Sequence, residues 1–114
     1  SNLFGDILSG IGGMITGSIG LSPSANIDPE RRFPSMFEPV HGSAPDIAGK
    51  GISNPIATIL SGAMMLKHLG QEQASNEIEA AVLEVLSRKT ILTQDLGGMA
   101  TTIEMGDAII QALN

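Results

Sequence analysis

The spacing of apolar residues predicts helices in both halves of the chain. A short amphipathic helix is predicted over residues 2–15, where apolar side chains recur every three or four positions. Asn54 and Pro55 provide a cap and a first helical residue for a second helix, which ends at Gly70. Apolar residues surround most of this second helix, so we expect it to be buried.

Two further helices are predicted after Gly70. The first covers about residues 75–89, with glutamates on its outer side, basic residues in its last turn, and an inner face formed by Ile78, Val82, Leu83 and Leu86. Thr101 and Glu104 have the spacing of a capping box, which predicts the start of the last helix. No internal repeat or linker divides the chain.

Between the helices, glycine and proline leave room for only short strands. Residues 17–35 have the composition of a loop, with at most one short strand at residues 18–21. A second short strand is predicted at residues 35–40, where Pro39 ends it. Residues 41–54, which we call the 41–54 loop, show neither the period of a strand nor that of a helix. Loops of this length in compact domains are usually functional or disordered.

Composition and charge narrow the classes of function. Hydrophobic residues make up 42% of the chain and charged residues 16%, which is typical of a folded protein. The net charge of −6 disfavours nucleic acids and anionic membrane surfaces as partners. Apolar runs are too short to span a membrane, residues 1–15 lack the basic start of a signal peptide, and cysteine is absent. We therefore expect a cytoplasmic protein.

Few polar residues have the spacing of a known catalytic, metal-binding or phosphate-binding motif. The two histidines lack the spacing of a metal-binding helix, and the glycine-rich stretches do not complete a phosphate-loop pattern. His68 falls at a helix end, where it is expected to interact with the helix dipole. In the 41–54 loop, His41 offers a planar ring and Asp46 a carboxylate that can accept two ribose hydroxyls. These residues allow either a nucleotide-binding loop or a structural loop in which Asp46 caps a turn.

Several strings of residues carry a resemblance to a known family. They are NLFGDILS at residues 2–9, PSANI at 23–27, FEPVHGSAPDIAGKGISNP at 37–55 and DLGG at 95–98. Together they closely resemble the β-decarboxylating dehydrogenases, which include isopropylmalate, isocitrate and tartrate dehydrogenases. Residues 24–36 are more similar to the tartrate dehydrogenase/decarboxylase branch. The resemblance implies an α/β fold that forms the C-terminal portion of the isopropylmalate dehydrogenase-like fold, mostly helices with a few short strands. Residues 1–114 would then be a single partial domain.

The resemblance implies that the 41–54 loop is the adenosine-binding segment of an NAD site. His41 and Asn54 would contact adenine, and Asp46 would hold the hydroxyls of the adenosine ribose. The nucleotide would also be lined by Gly42, Ser43 and Ala44. A carboxylate at Asp46 repels a 2′-phosphate, so the resemblance favours NAD over NADP.

The resemblance also implies NAD-dependent oxidation of a 2-hydroxy acid such as tartrate, malate or 3-isopropylmalate, with loss of a carboxylate and help from Mg²⁺ or Mn²⁺. In the family's motif, two aspartates one helical turn apart bind this cation. Asp6 matches the first aspartate and Gly10 replaces the second, which predicts weak metal binding. The family's substrate-binding arginines and its catalytic lysine and tyrosine lie upstream of the matched region, so no catalytic residue is assigned.

Three interpretations remain open from the sequence. The first is a C-terminal segment of such a dehydrogenase, inactive alone, which meets its hydroxy acid only in a complete enzyme. The second is a non-catalytic nucleotide-binding or interaction module derived from such an enzyme, and the third is a globular remnant without a ligand. Apolar helices that lack their partners also predict one of two outcomes: self-association, and therefore a homo-oligomer, or a fold rearranged from that of the parent enzyme.

Overall fold

A computed structural model describes residues 19–113, in which a small β-hairpin packs with three helices. In chain order, these residues form Ile19–Leu21 (a 3₁₀ turn), β1 (Pro23–Asn26), β2 (Met36–Pro39), α1 (Ile56–His68), α2 (Glu72–Arg88), Gln94–Leu96 (a second 3₁₀ turn) and α3 (Thr102–Ala112). The predicted α/β class, mostly helical with a few short strands, is confirmed for this part of the chain. The helix predicted over residues 2–15 lies outside the described residues, and so do Asp6 and Gly10.

The hairpin consists of β1 and β2, which pair antiparallel with Pro23 opposite Pro39. Its connection is organised by Asp28, whose carboxylate accepts hydrogen bonds from the backbone N–H groups of Glu30 and Phe33. β2 confirms the strand predicted at residues 35–40.

The strand predicted at residues 18–21 is wrong over its described part. Ile19–Leu21 form a 3₁₀ turn, and the strand starts only at Pro23. The apolar signal there comes from Leu21, which is fully buried in the core, and not from an alternating strand face. Pro23 is compatible with the sheet because proline is tolerated at the first residue of a strand.

The helix predicted between Asn54 and Gly70 is confirmed as α1. Asn54 caps it, since its side-chain Oδ1 accepts a hydrogen bond from the N–H of Ile56 at 2.9 Å. Within α1, only Thr58 and Met65 are exposed, as expected for a helix that is apolar around most of its circumference.

α2 begins at Glu72, earlier than the predicted start at residue 75. Ser75 is fully buried inside the helix, and its hydroxyl donates to the carbonyl of Ala63 in α1 at 2.7 Å. α3 begins with the predicted capping box. Thr101 Oγ1 accepts from the N–H of Glu104 at 3.1 Å, and Glu104 Oε1 accepts from the N–H of Thr101 at 2.9 Å.

The core lies between the helices and includes one residue from each 3₁₀ turn. Its buried members are Leu21, Ile56, Leu60, Ala81, Val82, Val85, Leu86, Leu96, Met105 and Ile109. In this core the start of α1 packs against the segment before α3. The 41–54 loop ends where these two parts of the chain meet. Among residues 19–113, no helix has the length and apolar content needed to cross a membrane.

Candidate functional site

The 41–54 loop connects β2 to α1 through a series of tight turns. Backbone hydrogen bonds run from the N–H of Ile47 to the carbonyl of Ala44 at 3.1 Å, and from the N–H of Lys50 to the carbonyl of Ile47 at 3.2 Å. Most residues from Gly42 to Gly51 are exposed. The loop therefore has a defined turn structure, while much of its backbone faces solvent.

Four residues of this loop have a positive φ. They are Gly42 at 68°, Ala44 at 43°, Gly49 at 81° and Gly51 at 70°. Glycine adopts this conformation at no steric cost, whereas it costs a residue with a Cβ about 1–2 kcal/mol. Ala44 therefore stores backbone strain, and strain of this kind is concentrated at ligand-binding and active sites.

His41 has one ring nitrogen in use and one without a partner. Its Nδ1 lies 2.7 Å from the carbonyl oxygen of Gly42, which can only accept, so Nδ1 carries the hydrogen. In the neutral ring Nε2 is then an acceptor, and it is buried without a hydrogen-bond partner in the described part of the chain. A buried acceptor of this kind is costly unless a donor satisfies it, and a ligand that displaces the groups covering Nε2 can supply that donor.

Ser43 and Asp46 lie on the exposed side of the loop. No hydrogen bond or ion pair from residues 19–113 engages the carboxylate of Asp46. Asp28 provides a contrast, because its carboxylate is bound to backbone N–H groups of the hairpin connection. The interpretation in which Asp46 caps a turn therefore has no hydrogen bond to support it in the described residues, and its carboxylate is accessible to a ligand.

Asn54 closes the loop, and both ends of its side-chain amide are engaged. The residue is only 5% exposed. Its Oδ1 caps α1 at Ile56, and its Nδ2 donates to Oδ2 of Asp95 at 3.0 Å. Asp95 is held in turn by Thr93, a fully buried residue whose hydroxyl donates to Oδ1 of Asp95.

A second contact holds the same end of the loop from α3. The N–H of Thr102 donates to the carbonyl of Gly51 at 2.9 Å, and its hydroxyl donates to the carbonyl of Ser53. The end of the 41–54 loop is thus bound both to the turn before α3 and to the first residue of α3.

His68 and a metal site are the remaining features predicted from the sequence. His68 is the last residue of α1, as predicted, and its ring also approaches Ser35 Oγ at 3.4 Å and the ring of Phe37 at 5.7 Å. No group of three His, Asp or Glu side chains within residues 19–113 is placed to hold a metal ion. Asp6, the predicted metal ligand, lies outside that range and stays a prediction.

The carboxylate of Glu104, in the cap of α3, has a shifted pKa. Hydrogen bonds from the backbone and the side chain of Thr101 lower the pKa of Glu104 below its usual value, while partial desolvation acts weakly in the opposite direction. This shift belongs to the cap of α3, and it assigns no acid–base role to Glu104.

Comparison with known proteins identifies the family. The family model described as isocitrate/isopropylmalate dehydrogenase matches residues 1–109. The chain belongs to this family. A D-malate dehydrogenase (decarboxylating) of Escherichia coli K12 is 58% identical over 118 residues, and a probable tartrate dehydrogenase/decarboxylase of Agrobacterium vitis is 54% identical over 113 residues. The resemblance seen in the sequence is thereby confirmed.

Solved structures show the same relationship. An isocitrate dehydrogenase from Methylococcus capsulatus superposes with a TM-score of 0.79 at 46% identity, over 97% of this chain and 32% of that protein. The D-malate and tartrate relatives are aligned over 99% of this chain, but over only 32% and 31% of their own lengths. The chain therefore spans about a third of the length of the family members it matches.

The sequence does not single out Asp95 or Thr102 as contacts of the loop. Asp95 belongs to a string that carries the family resemblance, and Thr102 directly follows the predicted cap Thr101. Their partners lie 41 and 49 positions earlier in the chain, so no helix or strand spacing reveals these contacts. The sequence shows that Asn54, Asp95 and Thr102 are polar, but it does not show which residues they contact.

Proposed function

We propose that this chain supplies the adenosine-binding part of the NAD site in a dehydrogenase that acts on 2-hydroxy acids. The observation that carries the proposal is the 41–54 loop, where Ala44 is held at a positive φ and Nε2 of His41 is buried without a partner among the described residues. An accessible, strained loop beside an unsatisfied acceptor is typical of a ligand site and unusual for a simple connection.

The residues present fit the adenosine half of a dinucleotide. Nε2 of His41 can accept a hydrogen bond from the amino group of adenine, and the carboxylate of Asp46 can accept hydrogen bonds from two ribose hydroxyls. The exposed turn would line the nucleotide through Gly42, Ser43 and Ala44. Because Asn54 is only 5% exposed and each end of its amide already has one partner, Asn54 would contact adenine mainly through its backbone.

The negative charge of Asp46 favours NAD over NADP. A 2′-phosphate on the adenosine ribose would bring a second negative group to this carboxylate, and like charges at short distance repel. Lys50 is the lysine of the same loop. It lies beyond the turn that follows Asp46, so we do not propose it as a partner for a 2′-phosphate. The relatives support a hydroxy-acid substrate, since they are named for tartrate and D-malate. NAD supplies the hydride-accepting nicotinamide for such a substrate when it is bound.

Catalytic residues are not proposed within this chain. Arg31 donates to the carbonyl of His68 at 2.6 Å, Arg32 pairs with Glu30 at 3.1 Å, and Arg88 pairs with Glu84 on the same helix. Local partners of this kind compete with a substrate carboxylate, and the sequence contains no tyrosine. We therefore propose that the chain alone does not turn over substrate. Asp6 is the proposed ligand for Mg²⁺ or Mn²⁺, with weak affinity because Gly10 replaces a second carboxylate.

The test of nucleotide binding is a titration of the 114-residue chain with NAD and, separately, with NADP, followed by amide chemical shifts. NAD is expected to produce saturable shifts confined to residues 41–54 and their contacts. NADP is expected to bind at least about tenfold more weakly, which corresponds to about 1.4 kcal/mol of repulsion. The absence of shifts at millimolar NAD, or shifts confined to other parts of the chain, would overturn the proposal.

Asp46→Asn provides a matched variant for the choice of cofactor. The substitution removes the charge and preserves the size of the side chain, so the preference for NAD over NADP should narrow. An unchanged preference would show that Asp46 does not face the ribose.

A separate assay distinguishes an incomplete enzyme from a complete one. The chain is mixed with NAD, Mn²⁺ and either tartrate or D-malate, and NADH formation is followed by absorbance. We expect none, because the arginines of residues 19–113 have local partners and the sequence contains no tyrosine. NADH formation above a protein-free control would contradict catalytic incompleteness while leaving nucleotide binding intact.

Self-association is the second part of the proposal. The hairpin connection and the end of α1 border an apolar pocket of about 270 Å³, and Phe33 at its rim is 69% exposed. Met65 and Leu69, which also line this pocket, are 42% and 54% exposed. Exposed apolar side chains around one pocket favour association with another chain. Light scattering in dilute buffer should give a mass above 11.8 kDa, whereas a monomer would contradict the expectation.

A further inference from the structure

The 41–54 loop is held at its far end by residues that lie much later in the chain. Asp95 binds the side chain of Asn54, and Thr102 binds the backbone at Gly51 and Ser53. Neither Asp95 nor Thr102 belongs to the loop, and neither is among the residues proposed to touch the nucleotide.

The contact from Asp95 determines the orientation of the Asn54 amide. A carboxylate only accepts hydrogen bonds, so the amide must turn its Nδ2 toward Asp95. Oδ1 then faces the N–H of Ile56 and caps α1. The opposite orientation would place two acceptors against each other and leave that N–H without the cap. Asp95 thus couples the end of the loop to the start of the helix.

We propose that Asp95 and Thr102 are positioning residues for nucleotide binding, which act by holding the 41–54 loop in its binding conformation. This inference rests on the proposed function. The 41–54 loop contains three glycines at positive φ, and glycine has many other backbone conformations available. A ligand that binds only one conformation of the loop has its affinity reduced to the fraction of chains in that conformation. Contacts that select one conformation before binding remove that loss.

The test compares NAD affinity among variants of the 114-residue chain, with folding checked by far-UV circular dichroism and amide shift dispersion. Asp95→Ala removes the acceptor of Asn54, and Thr102→Val removes the hydroxyl that binds Ser53 while preserving side-chain shape. Each is expected to weaken NAD binding about tenfold, because a hydrogen bond to a charged or buried group stabilises its conformation by about that factor.

Asp95→Asn is the rescue variant. Its amide oxygen can still accept from Asn54, and its amide nitrogen can donate to the hydroxyl of Thr93, which is able to accept. NAD affinity should return to within about threefold of the unsubstituted chain, since the hydrogen bonds and not the charge position the loop.

Ser75→Ala is the control for general loss of stability. It removes the buried hydrogen bond between α2 and the carbonyl of Ala63, which lies away from the loop. We expect a lower free energy of unfolding with unchanged NAD affinity. If Ser75→Ala weakens NAD binding as much as Asp95→Ala does, the effect is one of overall stability and the inference is wrong.

The remaining outcomes separate this inference from the proposed function. If the unsubstituted chain binds NAD and both Asp95→Ala and Thr102→Val bind it equally well, positioning is refuted while nucleotide binding stands. Failure of Asp95→Asn to restore affinity would also refute positioning by hydrogen bonds. If Asp95→Ala does not fold, Thr102→Val decides the question. If the unsubstituted chain does not bind NAD, both proposals fail together.

Discussion

Asp95 accepts a hydrogen bond from Asn54 at 3.0 Å, although 41 positions of sequence separate the two residues. Gly20 lies directly against this pair, where an added Cβ would come within 2.6 Å of Asp95 Oδ2 and 3.1 Å of Asn54 Cβ. The first 3₁₀ turn, the end of the 41–54 loop and the turn before α3 therefore meet at one point. A side chain at position 20 would have to displace these two residues.

Gly20→Ala tests the packing at this point. The new methyl group must displace the Asp95–Asn54 pair, so the free energy of unfolding should fall by about 1–3 kcal/mol. Gly62→Ala is the matched control, because nothing lies within 4 Å of its Cβ position in α1. That substitution should raise stability by up to about 1 kcal/mol through helix propensity. Urea denaturation measures both, and a Gly20→Ala chain as stable as the unsubstituted one would contradict the close contact.

Ala44→Gly tests whether the loop stores strain. Glycine tolerates the φ of 43° found at this position, so the substitution relieves strain while increasing the entropy of the unfolded chain. The free energy of unfolding should stay unchanged or rise by up to about 1 kcal/mol. Ala57→Gly, at a buried position of α1, should lower it by about 1 kcal/mol or more. Equal destabilisation by the two substitutions would show that Ala44 is not strained.

The elements that the sequence predicts correctly are those set by local chemistry. Asn54 caps α1, and Thr101 and Glu104 form the capping box of α3, because each of these contacts joins residues within a few positions. The absence of a regular period correctly separates the 41–54 loop from its flanking elements. Local spacing was sufficient in these cases because the partners are near in sequence.

The predictions that failed depended on tertiary contacts. Leu21 looks like part of a strand but is a core residue of a 3₁₀ turn, and the true strand at Pro23 is set by pairing with Pro39. α2 starts at Glu72 and not at about residue 75, and Ser75 is buried within the helix, where its hydroxyl binds the carbonyl of Ala63. The roles of Asp95 and Thr102 could not be predicted for the same reason.

The pKa of Glu104 predicts a pH dependence of stability. The N–H and hydroxyl of Thr101 hold this pKa below the unfolded value of 4.5, so the unfolded chain binds a proton more readily. The contribution of Glu104 is fully present above about pH 4.5 and is lost as pH falls through the lower pKa of the folded state.

Glu104→Gln isolates this effect from the other carboxylates. Glutamine can still accept a hydrogen bond from the N–H of Thr101 but does not titrate. Urea denaturation of both chains as a function of pH should show the unsubstituted chain losing its advantage in acid. A difference in stability that does not change with pH would refute the assignment.

The claim that the 41–54 loop binds the adenosine half of NAD is tested most directly with the two halves of the cofactor. Adenosine monophosphate and nicotinamide mononucleotide are titrated separately into the chain, and the amide shifts of residues 41–54 are followed. We expect adenosine monophosphate to reproduce the saturable shifts that NAD causes in this loop, and nicotinamide mononucleotide to leave the loop unchanged. No response to adenosine monophosphate, or an equal response to both halves, would contradict the claim.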